Sequence, residues 1–198
     1  MKYSLRRALL LGALVVSAGV AFAHPGGLDK NGCHVDSKTG KQHCHRKELL
    51  DLSKPFHAGD EGALYGALVR VIDGDTIVVK IQGAELEFRL AEIDAPESEQ
   101  PYGKESRQQL AALIGEQQCV LVPLENDHYG RLVAHLWVSG TYVNEEMISR
   151  GAAWFDAEYG RHPFLYQVEN EARDTKVGLW ALPSKDRVPP WEWRHDKR

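Results

Sequence analysis

Cysteine is scarce in this sequence. There are three in 198 residues: Cys33 and Cys44 near the start, and Cys119 by itself far along the chain. So few exclude a disulfide-dense scaffold and leave folding to a hydrophobic core. Positive charge is also short. Lys and Arg number 24 against 28 Asp and Glu, for a formal net charge of −4. Three of those cations, Lys2, Arg6 and Arg7, sit at the very beginning, so the rest of the chain is more acidic still. A chain of this kind does not hold polyanions by bulk attraction, because tight non-specific binding releases counterions against many basic groups. Internal repeats are absent, which excludes solenoids and propellers. Beyond residue 23 no apolar run is long enough to span a bilayer.

What is present begins with a leader. The positive head is followed by an almost wholly apolar stretch, Ala8 to Ala23, ending Ala21-Phe22-Ala23. This pattern predicts a cleaved signal peptide over residues 1–23, a mature chain starting at His24, and export to a periplasm or the medium without a membrane anchor. Residues 24–47 are polar and rich in Gly, His, Cys and Asp, and are expected to form a small Cys/His segment too short for a core of its own. Residues 48–62, with Pro55, Gly59 and Gly62, read as a linker.

From Ala63 the pattern turns to strands. Leu64–Ile72, Thr76–Ile81 and Glu85–Ile93 are β-branched or alternating, with Asp73-Gly74 expected as a type I′ hairpin turn. A helix is predicted over Gly103–Ile114, then strands over Gln118–Leu124 and Leu132–Val138. Helices follow over Val143–Arg150, stopped by Gly151, and Phe164–Val177, stopped by Gly178. This order predicts a mainly β, α+β domain: a five-stranded OB-fold barrel with two or three helices, spanning residues 63–181. Residues 182–198 are expected to form a tail packing on the domain, with Trp180, Trp191 and Trp193 serving that packing. Nothing signals an oligomer, so a monomer is the default.

Three segments carry candidate chemistry: Val71-Ile-Asp-Gly-Asp-Thr76, Phe88-Arg-Leu-Ala-Glu-Ile-Asp-Ala-Pro-Glu97 and Tyr129-Gly-Arg131. Asp75 follows a turn, while Asp94 and Glu97 bracket Pro96 where a strand leaves the sheet. Such hard oxygen donors suit Ca2+ or Mg2+ rather than zinc. Arg89 and Arg131 offer planar forks for phosphate oxygens. Each residue also has a plain reading. Asp75 could bond its own turn, Arg89 could pair with Glu85 or Glu87 across the sheet, and Arg131 could be a solvated strand end. Glu92 and Asp127 are expected to be ordinary loop charges.

These segments, in this order, resemble the staphylococcal nuclease (thermonuclease) family, and the likeness runs from Leu64 to Trp193 through Gly178-Leu-Trp180 and Pro189-Pro-Trp-Glu-Trp193. The resemblance implies that Asp75 and Asp94, with the Thr76 side of the turn, hold Ca2+. It implies that Glu97 is the general base, and that Arg89 and Arg131 bind the scissile phosphate of DNA or RNA. Cleavage would break the bond to the 5′ oxygen and leave 3′-phosphate ends. Ala95 stands where the best-known member has Thr, a position that offers only its carbonyl. The acidic charge departs from that basic enzyme. Tyr129 and Tyr159 are candidates for stacking on bases, with Tyr142, Trp154 and Phe155 as further rings to consider. A non-catalytic OB-fold module that binds nucleic acid or metal is the competing reading.

The segment at 24–47 resembles, more loosely, a YHYH-type module, with Gln42 and Cys44 where that module has tyrosines. Two readings stand side by side here. One is a Cys33–Cys44 disulfide favoured by export. The other is a Zn2+ or other transition-metal site drawn from Cys33, His34, His43, Cys44 and His45. Cys119 is expected to be a buried free thiol.

Overall fold

The computed structural model describes residues 33–35, 42–44 and 51–196. The expected signal peptide, the start at His24 and the candidate ligand His45 lie outside the described residues. The chain divides into two units, Met1–Leu49 and Leu50–Arg198. In the first, β1 (Cys33–Val35) and β2 (Gln42–Cys44) pair antiparallel, with Cys33 opposite Cys44 and His34 opposite His43.

The second unit is built on β3 (Leu64–Val71), β4 (Thr76–Ile81), β5 (Ala84–Leu90), β7 (Gln118–Asn126) and β8 (Leu132–Val138). The order β5-β4-β3-β7-β8 is antiparallel throughout, and a parallel β5–β8 pairing closes it into a five-stranded OB-like barrel. Ile77, Val79, Phe88, Leu121 and Leu136 are fully buried, and β4, β7 and β8 carry runs of four or five consecutive buried residues because helices and loops cover their outer faces too. Gln82-Gly83 and Ser139-Gly140 have positive φ at both positions, the primed-turn conformation that matches strand twist. Bulges at Leu68/Arg70 and Pro123/Glu125 bend β3 and β7.

Short β6 (Ile93–Asp94), β9 (Thr141–Tyr142) and β10 (Trp154–Phe155) lie outside the barrel strands. The helices are α1 (Gly103–Ile114), α2 (Val143–Ser149), α3 (Pro163–Asp174) and α4 (Pro190–Asp196). Leu110, Ile114, Met147, Ile148 and Leu165 carry the core from the barrel into α1, α2 and α3. The fourth helix falls in the expected tail, where Pro190 starts it with its fixed φ and absent N–H. Leu52 is buried, and Phe56 packs on Trp137 with ring centroids 4.8 Å apart, so the chain before β3 is pinned to the barrel. Among the described residues no helix is long and apolar enough to cross a membrane.

Two local expectations are corrected. The predicted strand Glu85–Ile93 is interrupted, because Glu92 adopts a left-handed φ of 62° and separates β5 from β6. Asp73-Gly74 is not a type I′ turn, since neither residue has positive φ. The β3–β4 connection closes instead through Ile72 N–H donating to Thr76 O at 2.9 Å. Gly74 is required there by space, because a Cβ would collide with the Ser106 hydroxyl and the Ala95 methyl.

Candidate active site

The close approach at Gly74 presses the β3–β4 loop onto α1 and onto the chain leaving β6, which turns Asp75 inward to 2% exposure. Asp75 Oδ2 accepts the Ala95 amide at 2.8 Å, locking the two loops together. Asp75 Oδ1 accepts the Thr76 hydroxyl at 2.9 Å and Arg89 Nη1 at 2.6 Å. The β4–β5 register sets Arg89 opposite Thr76, which brings its guanidinium beside the loop. Its other terminal nitrogen, Nη2, reaches Asp94 Oδ1 at 2.8 Å. Asp94 is held by the β6–β10 pairing, opposite Trp154. Arg89 therefore pairs with neither Glu85 nor Glu87; Glu85 pairs with Arg70 at 3.3 Å.

The sequence reading missed the next member. Arg194, on α4, donates Nη2 to Asp94 Oδ2 at 2.7 Å and Nη1 to Glu97 Oε1 at 2.8 Å. Asp75, Arg89, Asp94, Arg194 and Glu97 thus form one continuous chain of alternating charge. Its cleft, of about 640 Å³, is lined by Asp75, Arg89, Glu97, Arg131, Tyr129 and Tyr159 among others. Asp94 and Thr76 are not on its wall. Arg131 sits where the Tyr-Gly-Arg turn enters β8, with Nε on Asp127 Oδ2 at 2.7 Å. Asp127 Oδ1 also accepts the amides of Tyr129 and Arg131 at 2.9 Å each, so Asp127 organises the turn rather than being a loose loop charge.

Residues 87–182 fit the family described as staphylococcal nuclease homologue. A protein of Escherichia coli named an uncharacterized endonuclease is 40% identical over 135 residues, covering 68% of this chain and 87% of that one. The chain belongs to the staphylococcal nuclease homologue family. A micrococcal nuclease of Shigella flexneri is 37% identical over 140 residues, covering 65% of this chain and 79% of its own. A staphylococcal-like nuclease of Arabidopsis thaliana is 41% identical over 121 residues, which cover 60% of this chain and 36% of the plant protein.

In this family member the cleft concentrates negative charge. Burial, reinforced by neighbouring Asp75, pushes the Asp73 carboxyl up to about 7. Burial also raises Asp156, with Asp94 adding to the effect. Burial would lower Arg89, but Asp75 and Asp94 outweigh it and hold the guanidinium firmly charged. Asp75, Asp94 and the Thr76 hydroxyl are all hard oxygen donors, which fits a Ca2+ ligand set. Two guanidiniums already lie against these carboxylates, a sign that the site is built around positive charge.

A second cluster involves Glu92, which the sequence reading took for a loop charge and which is only 5% exposed. Its Oε2 accepts the amides of Arg161 and His162 at 2.8 and 2.9 Å, and its Oε1 accepts His162 Nδ1 at 2.5 Å. His135 Nε2 lies 3.7 Å from Oε1, while Nδ1 bonds the Tyr142 hydroxyl at 2.7 Å. Glu92, His135 and His162 bring three donor atoms within 4.8 Å of one another, a set zinc uses. Three hydrogen bonds from residues 161 and 162 converge on Glu92, so the cluster acts as a clasp fastening the start of α3 to the barrel.

Tyr129 and Tyr159 are 68% and 64% exposed, whereas Tyr142 and Trp154 are each 7% exposed and belong to the packing. Phe155 is partly buried against the core. Trp154 stacks edge-on with Trp180 and Trp191, at 4.4 and 5.7 Å between centroids. Cys119 is free and buried, and burial pushes its thiol up to about 12.

Proposed function

We propose that this protein is an exported, Ca2+-dependent, sugar-non-specific nuclease that hydrolyses DNA and RNA to 3′-phosphate ends. The observation that carries the reading is the convergence of Asp75, Asp94 and Glu97 with Arg89 beside a single cleft that also holds Arg131. Asp75 and Asp94, with the Thr76 side of the turn, would hold the cation. Bound there, Ca2+ would supply the positive charge that polarises a phosphoryl oxygen.

The chain's own groups do the rest. Glu97, 36% exposed at the side chain, is open enough to meet water and close enough to the acids to orient it. It accepts the water's proton as the water oxygen bonds to phosphorus. The bond from phosphorus to the 5′ oxygen breaks, and solvent protonates the departing oxygen. Arg89 and Arg131 hold the non-bridging oxygens, where charge develops. Asp127 engages Arg131 through Nε and the guanidinium lies 5.4 Å from the Tyr129 ring centroid, while among the described residues its terminal nitrogens have no hydrogen-bond partner and can serve the ligand. Tyr129 and Tyr159 offer faces on which bases beside the broken bond can stack. With an acidic chain, binding is brief and depends on the cation.

The first segment is proposed to carry a Cys33–Cys44 disulfide, a pairing supported by their opposition in the β1–β2 register. Zinc held by the cysteines and histidines is the competing reading, and thiol titration with and without chelator separates the two. Digestion of plasmid, single-stranded DNA and RNA, with Ca2+ and with chelator, tests the main proposal. Calcium-dependent cutting to 3′-phosphate ends is expected. Intact substrates from folded protein would leave an OB-fold binding module instead.

A further inference from the structure

Asp94 poses a geometric problem for any cation that would use it. Its Oδ1 accepts Arg89 Nη2 at 2.8 Å and Arg194 Nη1 at 3.1 Å, and its Oδ2 accepts Arg194 Nη2 at 2.7 Å. Both oxygens thus accept an arginine, and Ile93 and Ala95 on either side of Asp94 line the cleft, as do Arg89 and Arg194. A cation ligated by Asp94 would lie against two guanidiniums, and the departure of one of them relieves that like-charge repulsion.

The two arginines differ in how readily they leave. Arg89 is 19% exposed, lies in a barrel strand and is gripped by two buried aspartates. Arg194 is 41% exposed and stands on a helix of seven residues. An arginine keeps its charge in water, so it leaves as a cation. The base of the helix is anchored independently, through Gln100 donating to Val188 O and through Trp191 against Trp154. The side chain can therefore swing while α4 stays in place. Arg194 itself lines the cleft. An arginine displaced there meets the phosphodiester, whose oxygens match its planar fork.

We propose that Arg194 is a third phosphate-binding arginine, which covers Asp94 and Glu97 until a divalent cation takes Asp94, and which then passes to the substrate phosphate and frees Glu97 to meet water. This rests on the phosphodiesterase reading above. A counter-ion serving stability alone could sit on any acid of the cleft, whereas Arg194 spans the proposed metal ligand and the proposed base.

The test uses the full chain and the variants Arg194→Gln and Arg194→Lys. Ca2+ affinity is measured by calorimetry without nucleic acid, and kcat and KM on single-stranded DNA at saturating Ca2+. Arg194→Gln is expected to bind Ca2+ about tenfold more tightly, because its competitor is gone, yet to lose about tenfold or more in kcat. Arg194→Lys is expected to recover part of the rate. Unchanged Ca2+ affinity would overturn the competition. Tighter Ca2+ with unchanged or higher kcat would make Arg194 a mere cover and overturn its transfer to phosphate. A wild-type protein that does not cut would overturn the underlying reading and this proposal with it. Normal wild-type cutting with unaltered variants would overturn the proposal alone.

Discussion

Replacing Glu92 tests whether a single buried carboxylate fastens α3 to the barrel. Its side chain is 2% exposed and satisfies three donors: the amides of Arg161 and His162 and the imidazole of His162. Burial would raise its pKa, but hydrogen bonds from His162 and Arg161 hold it below the usual carboxylate value, so it is ionised at neutral pH. Glu92→Ala strands those donors, at about 1–3 kcal/mol for each that water does not reach. Arg161 is substantially exposed and its amide is partly rehydrated, which places the loss on the order of 4 kcal/mol. For a domain of this size that is a fall in Tm of about 10 °C. Two comparators dissect the loss. Glu92→Gln keeps one oxygen for the amides and is expected to cost about half as much. Glu92→Gly loses the same bonds as alanine but relaxes the φ of 62°, and is expected to be about 1 kcal/mol more stable than alanine. Urea unfolding followed by tryptophan fluorescence measures all three. A Glu92→Ala protein within about 0.5 kcal/mol of wild type, as at an ordinary surface site, would refute the clasp.

Two further outcomes follow from the same geometry. Burial pushes His135 down to about 4 from 6.5, so its contribution to stability is full above pH 6.5 and is lost as pH falls toward 4. Asp73, raised from 3.8 to about 7, works oppositely, because the folded state holds its proton across that window. Acid unfolding of Asp73→Asn is therefore expected to be steeper than that of wild type between pH 6.5 and 4, and parallel curves would contradict the assignment. Tyr159→Ala is expected to raise KM on single-stranded DNA about fivefold or more with little change in kcat, the mark of lost stacking. An unchanged KM would place the ring outside the substrate path.

Much of this was legible in the sequence, for identifiable reasons. β-Branched runs such as Thr76–Ile81, glycine stops at Gly115 and Gly151, and turn pairs such as Gln82-Gly83 each encode local geometry in residue type. So do Asp75 and Asp94, whose positions at strand ends mark them as free to converge. What escaped depends on distance or on uncharacteristic conformation. Closure of the barrel by Phe88–Leu90 alongside Leu132–Ala134 is a long-range parallel pairing with no local signature. Glu92 looks like any surface acid, since nothing in a glutamate announces a left-handed φ or a partner near residue 162. Arg194 is about 100 residues from the carboxylate it grips, beyond a stretch read only as packing. Asp73-Gly74 misled because the glycine serves contact with Ser106 rather than a positive φ.

The most direct test of the account is the rate of Ca2+-dependent DNA cleavage by Glu97→Gln beside wild type. Calorimetric Ca2+ binding and urea stability, measured on the same samples, control for metal loading and folding. The account predicts a fall of at least about 100-fold in kcat, with the fold intact, because the amide cannot take a proton from water. A folded, Ca2+-loaded Glu97→Gln that cuts at the wild-type rate would contradict it.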